Sequence, residues 1–380
     1  TYSTTAEETE LLERIVSATQ DAGIPMDWVE QGPVPEAFQR VARVPHQAQF
    51  HPLRYLAGLA REFKRKGGVL VEQCRVTGLN EGAVVEVHTT KGTVRARHLV
   101  YATHIPPGVN VLHFRCAPWR SYAVAVRLQQ GNYPDALVYD MRDPYNYYRT
   151  QVVDGVPYLI AGGQDHLTGK EADTHARFDR LEAHVRERYG ALEVVHRWSS
   201  QYFEPADGLP YIGLLPGGGG NVFVATGFGG NGMMLGTLSA IALTGHIVKG
   251  ASDHTALFDP RRVSPIAGFA QVAAQAADVV GHLISTPFLP EHLAAASELA
   301  AGEGRLVRLE GTAMGLFRDE QLRLHAVRPA CSHVKCTVAW NGAERSWDCP
   351  CHGSRFDVDG ALLTGPARKD LERPADAPSA

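Results

Sequence analysis

The sequence has 380 residues, of which 44% are hydrophobic and 21% charged, and its formal net charge is -4. Such a chain is long enough for two or three domains, and its charge balance gives no argument for a nucleic-acid partner or a membrane surface. No apolar run reaches the ~20 residues of a membrane span, and the acidic start "TYSTTAEETELLERIV" lacks the apolar core of a secretory signal. Localisation is not read from this end of the chain; a cytoplasmic location is the expectation.

In chain order, residues 7–22 have helical spacing, with Leu11, Leu12, Ile15 and Val16 on one side. "HPLRYLAGLAREFKRKG" (51–67) reads as a second helix, with Lys64, Arg65 and Lys66 in its last turn and Gly67 and Gly68 closing it. A strand, a hairpin with a "KG" turn and the apolar strand "HLVYATH" follow. Residues 119–165 alternate and are rich in Tyr and Val, which predicts an antiparallel sheet, and 174–190 form an amphipathic helix. "GGGGNVFVATGFGGNGMMLGTLSAIALTGHIVKG" is a turn, a buried strand, a glycine loop and an apolar helix. The Ala-rich stretch 263–302 predicts a helical linker, 303–373 a small all-β domain, and 374–380 a disordered tail.

"GFGGNG" (227–232) satisfies G-x-G-x-x-G between a strand and a helix. A dinucleotide site needs a second parallel strand ending in an acid about 20 residues on. Asp253 has the spacing but sits in "KGASDHTALFDP", which contains no strand, so the βαβ unit does not close. The glycines fit a structural turn, or a loop whose N–H groups approach a cofactor from another side.

The segments "QAQFHPLRYLAGLA", "VYATH", "APWRSYAVAV", "YNYYRT", "IAGGQDHLTG", "RWSSQYFEPADGLPYIG", "VATGFGGNGMMLGTLSA" and "LFDPRR" stand in one order. That order resembles the FAD-dependent amine and amino-acid oxidoreductases of the D-amino-acid oxidase and glycine oxidase type. The resemblance covers residues 1–262 and implies an α+β, multidomain fold: a partial FAD-binding domain plus an antiparallel-sheet substrate domain. The family's ADP-binding fingerprint would precede Thr1, so the resemblance implies a region without its N-terminal dinucleotide-binding part. It places Val76 beside the adenine, Ala102 and Thr103 at a strand end facing the flavin, and Gly227, Phe228, Gly230, Asn231, Gly232 and Met233 along the loop near its centre. Tyr148 and Arg149 are the candidate substrate residues, because an Arg fork can hold a carboxylate.

Near the chain end, Cys331-x-His333 and Cys349-x-x-His352 supply two thiols and two imidazoles. Tetrahedral zinc accepts that set, but its usual patterns pair Cys with Cys and His with His. A disulfide alone leaves the histidines unexplained, and a [2Fe–2S] cluster with two Cys on one iron and two His on the other is the third reading. "CSHVKC" with "CPCHGS" closely resembles the Rieske signature, and "TGPA" (364–367) its proline loop. The resemblance implies Cys331 and Cys349 on one iron, His333 and His352 on the other, a disulfide between Cys336 and Cys351, and imidazoles exposed at the tip. Ser354 matches a hydroxyl donor of high-potential members, while Phe356 stands where a Tyr donor is expected, so an intermediate potential is predicted.

Together these features predict an oxidoreductase acting on an amine or amino acid through FAD, with electrons passing to the Rieske cluster and on to a carrier protein or quinone. The other class of reading is a non-catalytic electron-transfer or binding protein on a degenerate flavoprotein scaffold. A Rieske oxygenase is excluded, since it needs two further His after the cluster motif and none follows His352.

Overall fold

The computed structural model describes residues 1–250, 255–262, 291–292, 298–309 and 311–374. Most of the expected linker and nearly all of the tail lie outside the described residues. The chain forms two compact units: Thr1–Leu70, Ser121–His166 and Thr174–Ser200 in one, Val71–Arg120, Leu167–Asp173 and Gln201–Ala380 in the other. The cysteine–histidine block thus shares a unit with the glycine loop rather than standing apart.

In the first unit, helix Ala6–Asp21 opens with a capping box in which Thr5 and Glu8 satisfy each other's backbone N–H groups. Its apolar face is narrower than the spacing predicts: Leu12 and Val16 are buried, whereas Leu11 and Ile15 stay exposed. The buried pair joins Met26 and Ala42 in a small core. A five-stranded sheet follows the order Ala191–Pro205, Cys116–Leu128, Val156–Leu167, Tyr147–Val153, Val138–Tyr139. Helix Thr174–Tyr189 buries Phe178, Leu181 and Val185. Helix Pro52–Arg65, in contrast, buries none of its residues; Leu53, Leu56, Leu59 and Phe63, spaced along one face, are exposed.

In the second unit, Val76–Asn80, Val85–Thr89 and Gly92–Ala96 form an antiparallel meander, with the second turn at Thr90 and Lys91, one residue before the expected "KG". Val222–Thr226 pairs antiparallel with Tyr211–Leu214 and parallel with Leu99–Tyr101. That parallel pairing sets the carboxyl ends of two strands side by side, the usual ligand position in an α/β layer. Helix Gly232–Lys249 packs Ala242 and Leu243 on this sheet and ends at Gly250, which adopts the left-handed conformation that favours glycine.

The C-terminal part is two four-stranded sheets, one containing Gly304–Leu309, Thr312–Arg318 and Leu324–Val327, the other Ala339–Asn341, Ser346–Asp348, Arg355–Phe356 and Leu362–Thr364. Strand Glu291–His292 joins the first of these in parallel, inside the stretch expected to be helical. Cys331, Cys336, Cys349 and Cys351 belong to the core that Trp347 and Phe356 fill. No helix among the described residues is long and apolar enough to cross a membrane.

Candidate functional site

Two tight loops project from the C-terminal sheets. In the first, Cys331 N–H donates to the Cys336 carbonyl (2.8 Å) and Lys335 N–H to the Cys331 carbonyl (2.9 Å). In the second, Cys349 N–H donates to the Ser354 carbonyl (2.8 Å) and Gly353 N–H to the Cys349 carbonyl (3.0 Å). A Cys336–Cys351 disulfide, Sγ–Sγ 1.98 Å, ties the loops together. The sulfurs of Cys336, Cys349 and Cys351 lie within 4.8 Å of one another, but the disulfide consumes two of them. The available thiols are therefore Cys331 and Cys349, both buried.

The rings of His333 and His352 stand 5.0 Å apart and nearly perpendicular. His333 Nδ1 and both ring nitrogens of His352 are buried without a hydrogen-bond partner. Orphaned buried nitrogens are costly, and metal ligation removes that cost. Burial holds both imidazoles neutral, pushing His352 down to about 3 and lowering His333. The Cys331 thiol is lowered, first by a hydrogen bond from Cys349 and then by the His333 and Val334 N–H groups and the Ser354 hydroxyl. Two sulfur donors and two neutral nitrogen donors fit a Rieske cluster.

The expectation of exposed imidazoles is corrected: His352 is 1% exposed and His333 only partly exposed. His333 Nε2 donates to the Gly108 carbonyl at 3.0 Å, and His113 and Phe114 pack on His352. The second loop is seated likewise, with Gln201 Nε2 donating to the Gly353 carbonyl at 2.9 Å. Arg120, fully buried, pairs with Glu344 at 2.6 Å. None of Gly108, His113, Arg120 or Gln201 carries a sequence signal; the nearest is "PPG" (106–108), which marks only a turn.

The strand pairing brings Ala102 and Thr103 next to the start of the glycine loop, because Val224 pairs with Tyr101. Ala102, Thr103, Gly230, Asn231 and Gly232 are exposed, Phe228 and Met233 partly so, and Gly227 is buried. Gly227, Gly229 and Gly230 have positive φ, and nothing lies within 4 Å of a Cβ built on Gly230. Asn231 makes no side-chain capping bond, so the first N–H groups of helix Gly232–Lys249 remain available to a polar ligand. This open strand end fits a flavin edge. Val76 lies on the separate meander, paired with Thr89 and exposed.

The two substrate candidates are not brought together. Neighbouring strand residues point to opposite faces. Tyr148 is buried, bonded to His184 Nε2, and stacked on that ring at 5.9 Å. It is a core residue under helix Thr174–Tyr189, which corrects its expected role. Tyr147 and Arg149 occupy the other face. Arg149 is anchored by the Phe50 carbonyl and Gln151, both at 2.9 Å.

Residues 1–245 match the family model "FAD dependent oxidoreductase", and residues 291–375 match "Rieske [2Fe-2S] domain". The chain belongs to the FAD-dependent oxidoreductase family and carries a Rieske domain at its C-terminal side; the cofactors of these families are FAD and a [2Fe–2S] cluster. It is 31% identical over 354 residues to YhfW of Bacillus subtilis (strain 168), named as a Rieske 2Fe-2S iron–sulfur protein, covering 92% of this chain and 69% of that relative. An iron–sulfur subunit of the cytochrome b6-f complex of Nostoc sp. (strain PCC 7120) is 33% identical over 110 residues, 29% of this chain and 59% of that subunit. Among solved structures, L-proline dehydrogenase from P. horikoshii aligns with a TM-score of 0.58 and 20% identity, over 69% of this chain and 75% of that one. Glycine oxidase from Geobacillus kaustophilus aligns with a TM-score of 0.57 and 22% identity, over 69% and 74%. At these identities the likeness to the two structures is one of fold.

Proposed function

We propose that this chain oxidises the CH–NH bond of a small amine or amino acid and passes the electrons through its Rieske centre to a one-electron carrier protein or a quinone. One observation carries the reading: the imidazole side of the Rieske loops packs on the oxidoreductase part of the same compact unit, with His333 bonded to Gly108. FAD supplies hydride acceptance when bound, and the cluster supplies one-electron exchange. Cys331 and Cys349 would hold one iron and His333 and His352 the other, His333 through the Nδ1 that its bond to Gly108 leaves free. Ala102, Thr103 and the loop from Gly227 to Met233 line the flavin, with Val76 on the adenine side. Arg149 binds the substrate carboxylate, if the substrate has one.

Anaerobic rapid mixing of the full-length protein, loaded with both cofactors, against a panel of amines and amino acids tests this. Flavin bleaching followed by loss of the oxidised-cluster absorbance is expected. A cluster that stays oxidised while the flavin bleaches would refute the relay, and a flavin that no amine bleaches would favour the non-catalytic reading.

A further inference from the structure

The residues that hold the histidine side of the cluster loops lie in one segment, 104–114, directly after the strand Leu99–Tyr101. At its start, the hydroxyl of Thr226, the residue before the glycine loop, donates to the His104 carbonyl at 2.5 Å. In its middle, Gly108 is gripped from both sides. Its N–H donates to the Pro366 carbonyl (2.9 Å) in the proline loop, and its carbonyl accepts from His333 Nε2 (3.0 Å). Arg368 adds a bond to the Pro107 carbonyl at 3.0 Å. Gly108 has φ +82°, and a Cβ there would stand 2.7 Å from the Arg368 guanidinium, so glycine suits both the backbone and the contact.

His113 ends the grip. It is buried, and both ring nitrogens are used: Nε2 donates to the Pro106 carbonyl at 2.8 Å, and Nδ1 accepts from Asn110 N–H at 3.2 Å. A ring fixed in this way cannot swing, and it packs edge-on against His333 at 4.9 Å and beside His352 at 5.6 Å. Phe114 meets His352 edge-on at 5.5 Å.

We propose that residues 104–114 are a built-in docking seat for the histidine side of the Rieske centre, with Gly108 and His113 as its positioning residues. The seat turns His333 and His352 toward the oxidoreductase fold, so an external carrier meets another face of the Rieske domain. The use of that orientation rests on the function proposed above; the seat itself does not.

The test uses the full-length protein with its cluster and reads neither substrate nor flavin, so failure of the seat and failure of the amine-oxidation reading are separable. Diethyl pyrocarbonate labelling, followed by mass spectrometry, compares His333 and His352 with the exposed His46. Because iron ligation by itself slows acylation of both imidazoles, the deciding comparison is with the seat variants: the seated histidines are expected to label at least about tenfold more slowly in the wild type than once the seat is broken, since access in the wild type requires local opening. Labelling as fast as His46 overturns the proposal. Gly108→Ala and His113→Phe should speed labelling of His333. They should also raise the midpoint potential, because the carbonyl that draws on the His333 Nε2–H makes that ligand more basic. Wild-type labelling and potential in both variants would equally overturn it. If Gly108→Ala does not fold, His113→Phe and the wild-type rates carry the same decision.

Discussion

The loops bearing Cys331 and Cys349 are packed among side chains of their own unit, while the glycine loop is exposed from Gly230 to Gly232. In the first region recognition depends on residue identity: thiols, imidazoles, a hydroxyl and a buried Arg, each with fixed partners. In the second, under the function proposed above, it would depend on backbone shape, meaning positive φ at Gly227, Gly229 and Gly230 and the N–H groups at a helix start. Side-chain sites are therefore preorganised by packing, and a substitution there is costly. Backbone sites tolerate many sequences with the same path.

The strongest way to break this contrast is Arg120. Its guanidinium is fully buried against Glu344, which Arg355 also engages while bonding Asp348 at 3.0 Å. Arg120→Met removes one cation from a buried network, and such losses cost about 3–5 kcal/mol. Denaturant unfolding should show that loss, with Arg120→Met/Glu344→Gln recovering part of it. A loss under about 1 kcal/mol would mean that the enclosure does not depend on this pair.

The first unit, which holds none of the cluster donors, gives a baseline for acid. His184 is lowered to about 4, by burial first and then by the nearby Arg188 charge. Burial raises Glu36, but hydrogen bonds from Arg142, Tyr2 and Arg188 outweigh it and leave Glu36 at about 2. The unfolded chain binds a proton at His184 below about 6.5 while the folded chain does not, so stability falls as pH drops from there toward 4. The Glu36 contribution is lost from about 4.5 downward by the same linkage. Because His184 is partly solvated, its share is about 1 kcal/mol at most after screening. His184→Gln should flatten the upper window and leave the lower one unchanged. An unchanged slope between pH 6.5 and 4 would assign the acid response elsewhere.

Legibility in the sequence followed the same division. Cys331, His333, Cys349 and His352 stand at spacings set by two short loops, so the motif and the geometry are nearly one object. The hairpin of Tyr147–Val153 and Val156–Leu167 is antiparallel as its alternation predicts, and helices stand where their spacing placed them, although Leu11 and Ile15 stay exposed. Among the described residues no strand after "GFGGNG" joins the sheet of Val222–Thr226, as the sequence predicts. Tyr148 went wrong because adjacency in a strand means opposite faces. Gly108, His113 and Arg120 were not legible, since they act through partners more than two hundred residues away or through a turn shape that many residues could share. The burial of His352 was missed for the same reason: an exposed tip is a property of an isolated domain, and this one has a neighbour.

The finest test of the side-chain-built region is its potential. Ser354 is fully buried; its Oγ accepts from Ala367 N–H at 3.0 Å, which leaves the hydroxyl proton for the Cys331 sulfur. A hydrogen bond to the sulfur stabilises the more negative, reduced cluster, so Ser354→Ala should lower the midpoint potential. A bond worth on the order of 1 kcal/mol corresponds to roughly 40 mV for a one-electron couple. Phe356 is equally buried and has no hydroxyl to offer. Phe356→Tyr should raise the potential by a similar amount if the new hydroxyl reaches a sulfur, and should only destabilise the fold if it does not, because a buried unpaired hydroxyl is costly. Redox titration followed by EPR separates the two outcomes. A wild-type potential as high as that of a respiratory-chain Rieske centre would overturn the intermediate value expected here and show that the hydroxyl absent at Phe356 is not the limiting donor.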